Sequence, residues 1–147
     1  MHIPVFFAGL LLGWPYGLAI GFIAPLTRSL FFGIPEIYPD AIVMTLELAT
    51  YGALSGLFYS LLKKINKYAA LYISLISAML IGRVVWGVSK LLLLSINGNS
   101  FTFSLFLAGG FINAWPGILL QLVLIPLLVP VLEKIINKRE NKLTENE

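Results

Sequence analysis

Glu47 and Arg83 are the two residues of this sequence best placed to do chemistry. Glu47 lies inside the apolar run Asp40–Leu62 and Arg83 inside Ala69–Ser95, and each run carries only two ionised groups. An ion at mid-bilayer costs at least about 2.5–3.5 kcal/mol on insertion scales. Such residues face the interior of a helix bundle and find partners there. An ion pair locking two helices and a polar ligand site are both open roles, and one arrangement can serve both. Spacing extends each position into a stripe, because residues i, i+3 and i+7 share a helix face. Met44, Glu47 and Tyr51 form one stripe; Met79, Arg83, Trp86 and Lys90 form the other. Carboxylate, guanidinium and aromatic groups around one cavity suit a flat polar ligand or a small acid. Packing or interfacial anchoring is the plainer role for Tyr51, Tyr59 and Trp86.

Asn113 and Trp115 adjoin a second kind of signal, the break Asn113-Ala114-Trp115-Pro116-Gly117. Asn at such a place commonly caps a helix. Irregular backbone at membrane depth is also tolerated where it lines a cavity. The candidate binding residues are therefore Glu47, Tyr51, Arg83, Trp86, Asn113 and Trp115, with Gln121, two turns further on, a weaker one.

Enzymatic chemistry finds no support. Gly82-Arg83-Val84-Val85-Trp86-Gly87 has the glycine spacing of a phosphate-binding loop, but Val88-Ser89 follows instead of the required Lys-Ser/Thr. Cysteine is absent and His2 is the only histidine, which removes thiolate sites and makes a His/carboxylate metal cluster improbable. No catalytic residue, cofactor, metal or nucleic-acid partner is expected.

The elements that position these residues are membrane helices. The 147 residues are 59% hydrophobic and 12% charged, against roughly 45–50% and about 25% in soluble domains. The sequence predicts an all-α, polytopic transmembrane helix bundle forming a single domain over 1–147. Its helices are expected at about 3–12, 17–32, 40–62 and 68–95, with a short one at 103–111 and a last one at 114–136. Residues 138–147 are expected to be a polar, frayed tail.

Basic residues orient the bundle. Lys63, Lys64 and Lys67 share one short loop, and Lys134, Lys138, Arg139 and Lys142 follow the last helix. Two crossings separate the clusters, so both can be cytoplasmic. The loops at 33–39 and 96–102 carry no Lys or Arg and face outward. Counted backward, this topology puts Met1 outside at the start of a half-length run, which predicts a further helix upstream. Glycines at 9, 13, 17 and 21, and at 52 and 56, allow close helix approach. Packing within one subunit is the simpler use for them than a partner interface.

The order and spacing of several short stretches carry a resemblance. They are His2-Ile3-Pro4-Val5 with Ala8-Gly9; Gly17-Leu18-Ala19-Ile20-Gly21-Phe22-Ile23-Ala24-Pro25-Leu26; Glu47-Leu48-Ala49-Thr50-Tyr51-Gly52 with Ser55-Gly56; Gly82 to Gly87; and Ile112 to Gly117. Together they resemble the S components of energy-coupling factor (ECF) transporters, the vitamin-binding membrane subunits of a class of ABC importers. The resemblance implies six helices with cytoplasmic termini, of which five are present here. It implies a ligand pocket formed by the outer loops and the last three helices. It also implies a transmembrane T component and two ATPase subunits as partners, and transport by toppling of the S component. The first helix, with its Ala-x-x-x-Ala docking motif, is absent from this sequence.

The expected function is thus that of a cell-membrane subunit binding a vitamin or vitamin precursor. The other readings are a structural or assembly membrane protein, with Glu47 and Arg83 serving packing alone, and a self-sufficient secondary transporter coupled through Glu47. The internal repeat common in such transporters is not evident.

Overall fold

The computed structural model describes residues 1–96, 98 and 102–144, and all of its regular structure is helical. Helix α1 spans His2–Phe7 and continues as a π-helical turn, Ala8–Leu12. Gly13, at φ 106°, breaks the chain there, a conformation that L side chains rarely adopt. Helix α2 follows at Trp14–Phe32, with Pro15 in its first turn, where the missing N–H is harmless. It runs through Pro25, which is buried, and ends at Gly33 in the left-handed conformation.

A π-helical turn, Ile37–Ala41, leads into α3, Ile42–Leu62. Helix α4, Lys67–Ile96, starts at a cap: Asn66 Oδ1 accepts the backbone N–H groups of Tyr68 and Ala69 at 3.1 and 3.3 Å. Helix α5, Phe103–Leu107, passes into the π-helical turn Ala108–Ile112, and α6 occupies Trp115–Thr144.

Among the described residues, three helical stretches are long and apolar enough to cross a membrane: Ile37–Leu62, Lys67–Ile96 and Phe103–Arg139. Their outward side chains are largely apolar, as lipid requires; Leu46, Leu57, Leu80, Val84, Leu120 and Val123 are examples. The stretch expected to fray from residue 138 is instead helical to Thr144. Once a helix exists, each added residue gains a hydrogen bond without a new nucleation cost, and Lys, Arg and Glu are good helix formers.

Helix α3 is the centre of the bundle, packing on α2, α4 and α1, while α6 rests on α1 and α4. Lipid tails are as apolar as side chains, so close packing rather than water exclusion holds such helices together. The glycines make that packing possible. A Cβ on Gly17 or Gly52 would collide with the other's backbone, and one on Gly21 would collide with the Leu48 carbonyl. Gly9 meets the Gly52 carbonyl and Gly56 meets the Gly9 carbonyl. The small-residue positions of the first two helices are thus used inside this chain, against α3. Val5, Phe6, Leu48, Tyr51, Leu71, Leu75, Ile125 and Val129 form the buried core.

Polar ties close the two ends. At one end Lys67 Nζ pairs with Glu133 Oε2, and Tyr59 donates to Glu133 Oε1 at 2.9 Å. The α3–α4 loop and the late part of α6 therefore share an end, which brings the two basic clusters together. At the opposite end Lys90 Nζ lies 3.0 Å from Asp40 Oδ1, and Tyr38 donates to the Leu93 carbonyl at 3.0 Å.

Candidate functional site

Glu47 and Arg83 meet in the middle of the bundle. Arg83 Nη1 lies 2.9 Å from Glu47 Oε1, and Tyr51 donates its hydroxyl to the same oxygen at 2.6 Å. Glu47 is 2% exposed and Tyr51 1%. The two stripes expected from spacing thus face each other across the α3–α4 contact. A carboxylate buried in an apolar bundle is tolerated because it receives both a guanidinium and a hydroxyl.

Arg83 also borders a hollow of about 220 Å³. Its other walls come from His2 at the start of α1, from Asn113 and Ala114 at the chain break, and from Pro116, Gly117, Ile118 and Gln121 on α6. Asn113, Gly117 and Gln121 recur every four residues, so a helical path turns them to one side. Two polar atoms here are buried without a hydrogen-bond partner, His2 Nε2 and Gln121 Oε1. Among the described residues no other buried side-chain nitrogen or oxygen is left so. Buried polar groups are nearly always paired, so a pair of exceptions bordering one hollow calls for an explanation.

A neighbouring hollow of about 270 Å³ shares Asn113 and is walled by Trp86, Lys90, Leu94, Leu105, Ala108 and Gly109. Lys90 Nζ sits 5.5 Å from the centre of the Trp86 ring, a cation–π distance. Trp86 also packs against Phe106, with ring centres 6.1 Å apart. Gly109 lets the indole lie close, since a Cβ there would crowd the ring. Arg83, Trp86 and Lys90, on one face of α4, therefore run from the first hollow into the second.

A larger hollow, about 380 Å³, lies between α4 and α5 but is lined by Val84, Gly87, Val88, Leu91, Phe103 and Phe106, with Thr102 as the one polar side chain among the described residues. It offers little to orient a polar ligand and opens along exposed apolar flanks of both helices.

Of the six candidate residues, Arg83 and Asn113 border the first hollow, and Trp86 and Asn113 the second. Glu47 and Tyr51 lie beneath Arg83 and do not line either one. Trp115 is 58% exposed and lines neither. It is displaced by two residues from Asn113, roughly 200° around a helix. Asn113 is not the residue that opens α6: the first helical bond is accepted by the Ala114 carbonyl, from Ile118 at 3.0 Å. His2 went unread as a lining residue. Its ring packs on Tyr51 at 5.5 Å between centres, a tertiary contact no local pattern announces.

The bundle is that of a multi-pass membrane protein, and the comparison with known families agrees. The model for the ECF transporter substrate-specific component matches residues 1–129. The chain belongs to that family: it is the substrate-specific component of an ECF transporter, a transport subunit and not an enzyme. No curated protein and no solved structure matches the chain.

Proposed function

We propose that the chain binds a vitamin or vitamin precursor in the hollow bounded by His2, Arg83, Asn113 and Gln121, and delivers it to an importer completed by a T component and two ATPases. One observation carries the site assignment: His2 and Gln121, whose Nε2 and Oε1 are buried without a partner, line the same hollow as the mid-membrane Arg83. A few convergent polar groups in an otherwise apolar concavity are what orients a small ligand. At about 220 Å³ this hollow is small for a whole vitamin. The adjoining space beside Trp86 and Lys90 supplies further room and an aromatic face. Glu47 and Tyr51 act through Arg83, fixing its guanidinium rather than touching the ligand.

The hollow lies toward the end opposite the basic clusters, because α6 starts beside it and reaches Glu133 and Lys67 only late. Basic clusters mark the cytoplasmic side. The site therefore faces outward and the C-terminus lies in the cytoplasm. Calorimetric titration of the purified protein in lipid nanodiscs against B-vitamins and their precursors tests the reading. Saturable one-to-one binding by one of them is expected. A folded, ligand-free protein that binds none of them would overturn it.

A further inference from the structure

We infer that the deep end of this hollow takes an uncharged amide-like edge, one N–H beside one C=O, and rejects a carboxylate or an ammonium group. The inference rests on the reading of the hollow as the substrate site. It begins with Gln121, which is 9% exposed and whose Oε1 lacks a donor. An acceptor left so destabilises the empty protein, and the loss is recovered when a ligand N–H arrives. His2 lines the same hollow, and its Nε2 is likewise buried and unpartnered, so a small turn of either side chain brings its polar atom to a ligand. In its Nε2–H tautomer the imidazole donates, and a ligand carbonyl is the matching acceptor. An amide edge also satisfies the Gln121 carboxamide in either orientation of that group, because it offers both a donor and an acceptor.

Charge supplies the second half of the argument. Arg83 Nη1 is 2.9 Å from Glu47 Oε1, so the guanidinium is neutralised before any ligand enters. The outer cation, Lys90, is likewise matched by Asp40 at 3.0 Å. A ligand carboxylate at the deep end would bring an unmatched negative charge into an apolar bundle or compete with Glu47 for Arg83. An ammonium group would face the guanidinium. Both carry a larger desolvation cost than a neutral polar edge, and Arg83 and Lys90 are already matched by Glu47 and Asp40.

The test uses nanodisc-embedded protein and titrates riboflavin and biotin, which carry imide and ureido edges, thiamine, which is a cation, and the matched pair nicotinamide and nicotinate. Binding confined to compounds with an uncharged amide-type edge is expected. Gln121→Met keeps the side-chain length and removes both polar atoms. It should weaken that binding at least tenfold while leaving the ligand-free melting temperature unchanged or raised. His2→Phe keeps the ring against Tyr51 and should also weaken binding. A merely structural Gln121 would instead lose stability on substitution and leave affinity intact. Tight binding of nicotinate or thiamine would overturn the inference and leave the site assignment standing, whereas unchanged affinity in both variants would overturn the inference and the site assignment but not vitamin binding itself. Failure of every compound to bind the folded wild-type protein would take down the vitamin-binding reading and this inference with it.

Discussion

Tyr59 on α3 donates its hydroxyl to Glu133 Oε1 on α6 over 2.9 Å, and Lys67 at the start of α4 holds the other oxygen of the same carboxylate. Three helices that cross far apart in the sequence are thereby pinned at one carboxylate. Tyr59 is 2% exposed, so water does not readily replace the bond. Tyr59→Phe should lower stability by about 1.5–3 kcal/mol, the range for a hydrogen bond to a charged group. Thermal unfolding in one detergent, wild type beside variant, measures it. A wild-type melting curve would show that the bond contributes nothing.

The Glu47–Arg83 pair should behave differently when one partner or both are removed. Arg83→Met leaves a carboxylate buried beside Tyr51 and should cost about 3–5 kcal/mol. Glu47→Gln together with Arg83→Met leaves no buried charge, and most of that loss should be regained. The double-mutant cycle reads the coupling directly. Additive losses would mean that the two groups do not stabilise one another.

Two glycines should differ sharply on substitution by alanine. A Cβ on Gly52 would run into the backbone of Gly17, so Gly52→Ala must push α2 and α3 apart. The expected cost is about 1–3 kcal/mol, as for overpacking elsewhere. At Gly117 a Cβ would meet nothing within 4 Å, so Gly117→Ala should leave stability unchanged or slightly raised. Equal melting temperatures for the two variants would contradict the packing described.

Topology can be read with single cysteines, since the chain contains none of its own. Lys64→Cys and Lys138→Cys both lie at the end that carries the basic clusters, and both positions are exposed. An impermeant maleimide should label neither in right-side-out cells and both in inverted vesicles. Labelling from opposite sides would break the assignment of both clusters to the cytoplasm.

The bundle was legible because a bilayer demands about 20 apolar residues per span, and few other settings do. Glu47 and Arg83 stood out for the same reason: an ion in such a run must find a partner. The partners of the hollow were harder. Gln121 is uncharged, so its presence in an apolar helix is a weaker signal, and only the structure shows its oxygen buried without a donor. His2 lies in a segment too short to span, and only the packing of α1 on α3 brings its ring over Tyr51. Trp115 was attractive as an aromatic beside Asn113, but helical rotation carries it to the exposed side. The short reach of local patterns explains all three.

The glycine seam also sets which parts of the molecule can travel. Where α2 and α3 touch backbone to backbone, there is little side chain between them to reorganise, so the pair behaves as one stiff plate. Helix α6 has no such seam; it rests on α1 and α4, contains Pro126 and Pro130, and exposes much of its surface. The hollow lies between α1 and α4, which pack on that plate, and the opening turns of α6. The motion expected on ligand binding is therefore a swing of the opening turns of α6 against that frame, with the Glu133 contact as the hinge end. Spin-label distances across α2 and α3 should stay constant when ligand is added, and those from α3 to the start of α6 should shorten.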